Sequence, residues 1–383
     1  MTGARGTVAC GTVACGTVAF YAPLKPPGHP VPSGERTMAR LLLRALAAAG
    51  LDPVLASTLR TRDPGGARHA ALRAQARAEA ARLAGLWSAR PPRLWFTYHV
   101  YYKAPDWIGP AVAAALGIPY VVAEGSRAPR RAAGPHALGH AGAEAALDAA
   151  ALVLVMNRRD RPALEAARPP GQVLAGLPPF LDPAEWPAPR AARPEGPLRL
   201  LCVAMMREGD KLASYGLLAE ALAGLGDLPW RLDVAGDGPA APAVADLLAP
   251  FGERVRRHGA LAPPALSALY AAADLLVWPA VNEAYGVALL EAQAHGCPVV
   301  AGGYGGVPDV VRDGATGLVT PPGDPRALAA AIRRLAGDPA ARAAMAAAAR
   351  DFVRRERSLE HAAATLRSAL GGVLARHAAG RPA

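Results

Sequence analysis

The sequence predicts an α/β protein of two parallel-sheet units, and three observations carry the prediction. Its 383 residues favour two domains at roughly 100–200 residues each. Short apolar runs alternate with helical stretches along most of the chain, the pattern of a parallel sheet covered by helices. The alternation stops over 182–197, where D-P-A-E-W-P-A-P-R-A-A-R-P-E-G-P carries proline too often for helix or strand, and then it restarts. The expected division is a first domain over 1–185, a linker over 186–197, a second domain over 198–355 and a terminal helix over 356–383 that crosses back to the first.

In the first unit, Val18-Ala19-Phe20-Tyr21 reads as the opening strand. It completes a repeat, G-T-V-A-C, G-T-V-A-C, G-T-V-A-F over 6–20, that is too short for a solenoid and lacks the continuous apolar core of a signal peptide. A loop rich in proline and glycine over 23–34 precedes a helix whose Met38, Leu41, Leu42 and Leu46 share one face and which Gly50 ends. Strands then follow at 53–56, 94–98, 118–123 and 151–156, separated by helical stretches at 67–87, 107–116 and 143–150. In the second unit the expected strands are 198–205, 230–235, a short one at Val255, 275–279 and 298–301. Helices are expected at 212–225, 239–248, 263–272 and 286–295, and again from Pro325 onward. Ligands of such sheets bind beyond the carboxyl ends of the strands, so a cleft between the units is the expected site.

Composition narrows the function. Hydrophobic residues make up 52% and no apolar run reaches the ~18 residues of a membrane span. The net charge of +11 suits an anionic partner. The basic residues are scattered over alanine-rich helices without a recognisable nucleic-acid motif, so no nucleic-acid partner is expected. An arginine-rich helix over 67–87 suggests peripheral contact with anionic lipid. Only Lys25, Lys103 and Lys211 are lysines, which singles them out in an arginine background. The four cysteines, Cys10, Cys15, Cys202 and Cys297, form neither a disulfide framework nor a zinc spacing, which fits a reducing cytoplasm. No Asp-x-Asp occurs, so no metal is expected. No Gly-x-Gly-x-x-Gly follows a strand, which excludes the usual dinucleotide dehydrogenase.

The chemistry gathers in W-P-A-V-N-E-A-Y-G-V-A-L-L-E over 278–291. Glu283 falls in a loop after a strand and Glu291 in the helix that follows. Between them the amides of Tyr285, Gly286 and Val287 lie at a helix start, where free N–H groups and the helix dipole favour an anion. A second glycine loop, Gly302-Gly303-Tyr304-Gly305-Gly306-Val307-Pro308-Asp309, is expected to present further amides. Gly236-Asp237-Gly238-Pro239 makes a third strand-end turn. Arg207 and Lys211, beyond the first strand of the second unit, can neutralise a departing diphosphate.

These residues, with Asp313-Gly314-Ala315-Thr316-Gly317-Leu318-Val319 and Pro322-Gly323-Asp324, resemble the nucleotide-sugar domain of glycosyltransferase family 4 over about 198–335. That family comprises retaining enzymes of the GT-B architecture, two Rossmann-like domains facing across a cleft. The resemblance implies that Glu291 binds the ribose hydroxyls of a nucleotide-sugar donor. It implies that Glu283, with the amides at Ala284, Tyr285, Gly286 and Val287, holds sugar and diphosphate, and that Arg207 and Lys211 hold the phosphates. Gly236 and Leu261 are expected beside the donor, Leu261 through the backbone that selects the base. Arg207 stands four residues before Lys211 where the family usually has five, Leu212 stands where glycine is usual, and Asp309 where glutamate is commoner.

In the first unit, Pro32-Ser33-Gly34-Glu35-Arg36 is expected to bring Gly34 toward the donor phosphate, with Ser33 capping the helix. His99 resembles the family's histidine near the reacting sugar. Lys103 and Glu124 lie on the same edge, and Tyr98, Tyr101, Tyr102 and Trp107 are candidates for an acceptor wall. The implied activity is metal-independent transfer of a sugar to a hydroxyl of a glycan or lipid-linked intermediate of a bacterial envelope, in the cytoplasm or at the inner face of the membrane. The alternatives are a nucleotide-sugar epimerase or phosphorylase of the same fold and a non-catalytic nucleotide- or sugar-binding module.

Overall fold

A computed structural model describes residues 16–31, 33–185 and 196–380. Most of the five-residue repeat, with Cys10 and Cys15, lies outside the described residues, as do Pro32 and linker residues 186–195. The chain forms two compact units. The first comprises the described chain up to Met156, Asp160–Leu177 and the residues from Ala362, and the second comprises Asn157–Arg159 and Pro178–His361.

The first unit contains β1 (Thr17–Tyr21), α1 (Gly34–Ala48), β2 (Asp52–Ser57), α2 (His69–Trp87), β3 (Leu94–Val100), α3 (Gly109–Leu116), β4 (Tyr120–Gly125), α4 (Ala137–Ala149), β5 (Leu152–Val155), α5 (Arg161–Ala166) and β6 (Val173–Gly176). Its sheet runs β2-β1-β3-β4-β5-β6 with every pair parallel. That arrangement requires the helical crossovers, because parallel strands cannot be joined by tight turns. The central strands are apolar on both faces, and Phe20, Trp95, Phe96, Val121 and Val122 are fully buried. Ser33 has extended backbone and its Oγ accepts the Arg36 N–H at 3.3 Å, the expected cap for α1.

The second unit contains β7 (Leu198–Val203), α6 (Asp210–Ala223), β8 (Trp230–Ala235), α7 (Ala241–Leu248), β9 (Val255–Gly259), α8 (Pro263–Ala272), β10 (Leu275–Trp278), α9 (Val287–Ala294), β11 (Val299–Gly302), α10 (Val307–Val310), β12 (Gly317–Thr320), α11 (Pro325–Ala336) and α12 (Pro339–Glu356). Its sheet is likewise parallel, in the order β12-β11-β10-β7-β8-β9. The last helix, α13 (Leu359–Ala379), lies mostly in the first unit. There Arg367 donates to the carbonyls of Ala48 and Ala49, and His377 meets the Gly117 carbonyl at 2.8 Å. No helix among the described residues is long and apolar enough to cross a membrane.

Two strands and the short helix α5 fall outside the sequence expectation. β6 and β12 are edge strands of four residues, and β6 is only half-buried. Unlike the equally short but wholly buried β5, β10 and β11, these edge strands include partly exposed residues and so lack a continuous apolar run to read from pattern.

Candidate functional site

In the second unit the loop between β10 and α9 is held from two sides. On one side is the start of α6, where Ser214 Oγ accepts the Val281 N–H at 3.0 Å and Asn282 donates to Asp210 at 2.9 Å. Lys211 forms an ion pair with Glu283, and its ammonium lies 5.3 Å from the centre of the Trp278 ring. Trp278 Nε1 donates to the same Glu283 oxygen at 3.2 Å. Ala280 and Asn282 both have left-handed backbone, at φ 61° and 48°, a cost that the surrounding contacts sustain.

On the other side is the glycine loop after β11. The Gly306 N–H donates to the Ala284 carbonyl at 2.7 Å. A Cβ at Gly305 would lie 1.9 Å from the Glu283 carbonyl oxygen, and one at Gly306 would lie 2.1 Å from that of Ala284. Only glycine permits this approach. Contrary to expectation, most of this loop's amides are turned to the protein's own backbone. The N–H groups of Gly303, Tyr304, Gly306 and Val307 all donate to backbone carbonyls of their own unit, so the loop is a buttress for Glu283. At the start of α9, by contrast, Gly286 is left-handed at φ 69° and no side chain caps the helix. The start of α9 thus lacks a side-chain acceptor, the situation in which helix-start amides can take an anion.

Glu291 lies in the second turn of α9 and accepts the Tyr270 hydroxyl at 2.8 Å. Burial pushes the Glu291 carboxyl above its usual range, and the Tyr270 hydrogen bond offsets only part of this. Tyr270 stacks on His295 at 5.2 Å, and His295 is fixed by Ser267 Oγ at 2.7 Å and the Glu291 carbonyl at 2.8 Å. Gly236 donates its N–H to Gly259, and a Cβ there would lie 1.8 Å from the Ala204 carbonyl oxygen, so it serves close packing of two strand-end loops. Leu261 follows β9 and is half-buried, while Arg207 is exposed in the β7–α6 loop. Asp309 lies inside α10, where it is buried, accepts the Arg158 N–H at 2.9 Å and pairs with the Arg158 guanidinium.

In the first unit His99 and Glu124 stand opposite each other. Tyr98 pairs with Ala123 and Val100 with Gly125 across β3 and β4, which sets the intervening residues side by side. Both are left-handed, at φ 64° and 61°. Glu35, in the first turn of α1, accepts His99 Nδ1 at 2.9 Å and the Tyr98 hydroxyl at 3.1 Å. Glu124 approaches the same ring nitrogen at 3.6 Å. Burial alone would lower the His99 pKa, but Glu124 and Glu35 raise it to about 9. The ligating atoms of Glu35, His99 and Glu124 lie within 4.8 Å of one another, a density that linear spacing did not reveal. Both carboxylates face His99 Nδ1, Glu35 at hydrogen-bond distance and Glu124 at ion-pair distance.

Gly34 opens α1 one residue before Glu35, and Lys103 lies beside Tyr102. Tyr98 is 1% exposed and spends its hydroxyl on Glu35, so it is removed from the expected acceptor wall. Tyr101, Tyr102 and Trp107 remain partly exposed. Sequence reasoning missed Trp278, Tyr270 and the function of Glu35. Trp278 was detectable from its place at the end of the strand before Glu283, whereas Tyr270 is brought to Glu291 only by the packing of α8 on α9.

Residues 197–338 match the family described as Glycosyl transferases group 1. Curated relatives named D-inositol 3-phosphate glycosyltransferase include one from Thermobispora bispora, 42% identical over 117 residues that span 30% of this chain and 27% of that protein. Another, from Kineococcus radiotolerans, is 36% identical over 209 residues that span 49% and 47%. The matched stretches thus cover less than half of these relatives. Among solved structures, a sucrose-phosphate synthase from Thermosynechococcus elongatus superposes with a TM-score of 0.74 at 21% identity, covering 94% of this chain and 99% of that one. Anabaena HepE in complex with UDP and glucose gives 0.69 at 16%, covering 92% and 98%. WaaG, a glycosyltransferase involved in lipopolysaccharide biosynthesis, gives 0.62 at 17%, covering 92% and 98%. These likenesses establish the fold as two Rossmann-like α/β units of the GT-B type.

Proposed function

We propose, from the match of residues 197–338 to the Glycosyl transferases group 1 family, that the protein moves a sugar from a nucleoside-diphosphate sugar to an acceptor hydroxyl with retention of configuration. The observation that carries this reading is the Lys211–Glu283 ion pair beside the uncapped start of α9, a cation and a carboxylate next to an anion-binding helix end. The acceptor oxygen bonds to the anomeric carbon on the face from which the diphosphate leaves. The acceptor's proton passes to the departing phosphate oxygen, so no protein base is consumed. Lys211, Arg207 and the α9 amides offset the charge that develops on the diphosphate, with no metal required. Glu283 orients the sugar, Glu291 holds the ribose, and His99 supplies a donor to a ligand oxygen at the first unit.

For the acceptor, a phosphorylated or otherwise anionic molecule is favoured. Lys103 and Arg131 lie 5.5 and 5.2 Å from the Tyr102 ring centre, and neither forms an ion pair among the described residues. The named relatives support the same class, since inositol 3-phosphate carries such a group. A cytoplasmic enzyme of envelope glycan synthesis, peripheral at the inner membrane face, agrees with this chemistry.

The test is a calorimetric and thermal-shift panel of UDP, GDP, ADP, TDP and their sugar adducts in EDTA, on wild type and Glu291→Ala. Binding of one nucleotide in EDTA that is lost in the variant supports the reading. Absence of binding by every nucleotide turns it toward a non-catalytic module. Conversion of the bound sugar without any acceptor turns it toward an epimerase.

A further inference from the structure

The Glu35, His99 and Glu124 cluster is assembled from three separate elements, and the proposed transfer chemistry gives a task only to His99. Both carboxylates approach the same atom of the ring. Glu35 Oε2 is 2.9 Å and Glu124 Oε2 is 3.6 Å from Nδ1, while Nε2 has no partner among the described residues. The ring leans on Tyr101, centroid to centroid 4.9 Å. Glu124 is buried and Glu35 half-buried, so neither carboxylate is well satisfied by water. His99 and Glu124 both adopt left-handed backbone at adjoining strand ends, which is costly for residues with a Cβ. Strain at two facing positions persists only when the contact between them is worth holding.

We propose that Glu35 and Glu124 are positioning residues that jointly clamp the His99 ring through Nδ1 and keep it an imidazolium, so that Nε2–H is a fixed cationic donor toward an anionic or hydroxyl oxygen of the ligand. The proposal rests on the transferase reading only for the identity of that ligand. In the neutral imidazole with Nδ1–H bonded to Glu35, Nε2 would be an acceptor and would repel a phosphate oxygen. A second charge on the same nitrogen reverses that role. The charged and titratable groups around the ring are Glu35 from α1, Glu124 from β4, Tyr98 and Tyr101 from β3 and the residues that follow it, and Asp160 at the start of α5. Lys25 acts on Glu35 from the loop after β1. Burial raises the Glu35 carboxyl, but His99 and the Tyr98 hydroxyl bring it below its usual value, consistent with an ionised partner.

The experiment is nitrogen-15 NMR of the full chain labelled at histidine, titrated from pH 5 to 10, with His99→Gln to assign the signal. In wild type, His99 should remain doubly protonated until about pH 9. Glu35→Gln and Glu124→Gln keep the shape and an acceptor oxygen but remove the charge, and each should bring the titration down by a unit or more, with the double variant lowest. Circular dichroism melts of the three variants verify that they fold. In steady-state assays, the alkaline limb of turnover in Glu35→Gln should move down in pH with the NMR titration while KM for the nucleotide sugar changes less than threefold.

Titration of wild-type His99 near pH 6.5, or no change in either single variant, would overturn the clamp. A shift of the His99 signals by micromolar Zn²⁺, Mn²⁺ or Mg²⁺ would also overturn it, because the triad would then be a metal site. An intact titration in a protein that binds no nucleotide would uphold the clamp and overturn only the transferase reading.

Discussion

The two ends of the proposed chemistry are built in opposite ways. In the second unit, Trp278, Glu283, the amides of α9 and Glu291 all come from one stretch of fourteen residues, 278–291. Glycines that permit backbone-to-backbone contact press that stretch into place. In the first unit, Glu35, His99 and Glu124 come from α1 and the ends of β3 and β4, positions 35, 99 and 124, and meet only because two adjacent strands end in left-handed backbone. The first construction relies on absent side chains and the second on side chains holding a strained main chain. A loop site of the first kind fails when a methyl group is added; a triad of the second kind fails when a charge is removed.

The largest expected effect is at Lys211. Lys211→Ala should lower turnover by about 10²–10³-fold, the range typical of a lost group that offsets developing charge. Folding should be little changed, as a thermal melt will verify, because the ion pair is partly exposed. Turnover within threefold of wild type would remove Lys211 from the leaving-group task.

Next is Gly306→Ala, whose Cβ would meet the Ala284 carbonyl at 2.1 Å. Overpacking of this kind costs about 1–3 kcal/mol, and nucleotide affinity should fall with it because the Glu283 loop must move. Gly216→Ala in α6 has nothing within 4 Å of the new Cβ and should instead raise the melting temperature slightly. Equal melting temperatures for the two variants would contradict the buttress.

A smaller effect is expected from Tyr270→Phe, which deletes the hydroxyl that orients Glu291. The loss of a hydrogen bond worth about 1 kcal/mol predicts a roughly fivefold weaker nucleotide, measured by calorimetry, with an unchanged fold. A change below twofold would separate Glu291 from the ribose.

The smallest effect is the pH dependence of stability, and it distinguishes the two regions. His99 has a raised pKa in the folded protein, so its contribution is complete below its ordinary 6.5 and is lost as pH rises through about 9. The excess melting temperature of wild type over His99→Gln should therefore shrink between pH 7 and 10. Glu291 is also raised, so what it contributes is present below its ordinary 4.5 and is lost as pH rises through its folded value. Glu291→Gln should consequently be no less stable than wild type at pH 8 while binding nucleotide more weakly. A destabilised Glu291→Gln at that pH would show that the carboxylate supports the fold.

The sequence by itself determined the fold class, the alternation of strands and helices, and the carboxylate loop in the second unit. Strand and helix periodicity is local, and Glu283, the α9 start and Glu291 are close in the chain. Gly305 and Gly306 were legible as a loop, but their task was not. Whether a glycine amide faces a ligand or its own backbone depends on the neighbouring chain, here the carbonyls of Glu283 and Ala284. Tertiary structure alone decided that Tyr270 serves Glu291, that Tyr98 is buried under Glu35, and that Asp309 pairs with Arg158. It likewise made the His99 triad, because strand register is a property of two segments at once. Glu124 meets His99 only when β4 lies parallel to β3 with Ala123 beside Tyr98, and no spacing along one chain encodes that pairing.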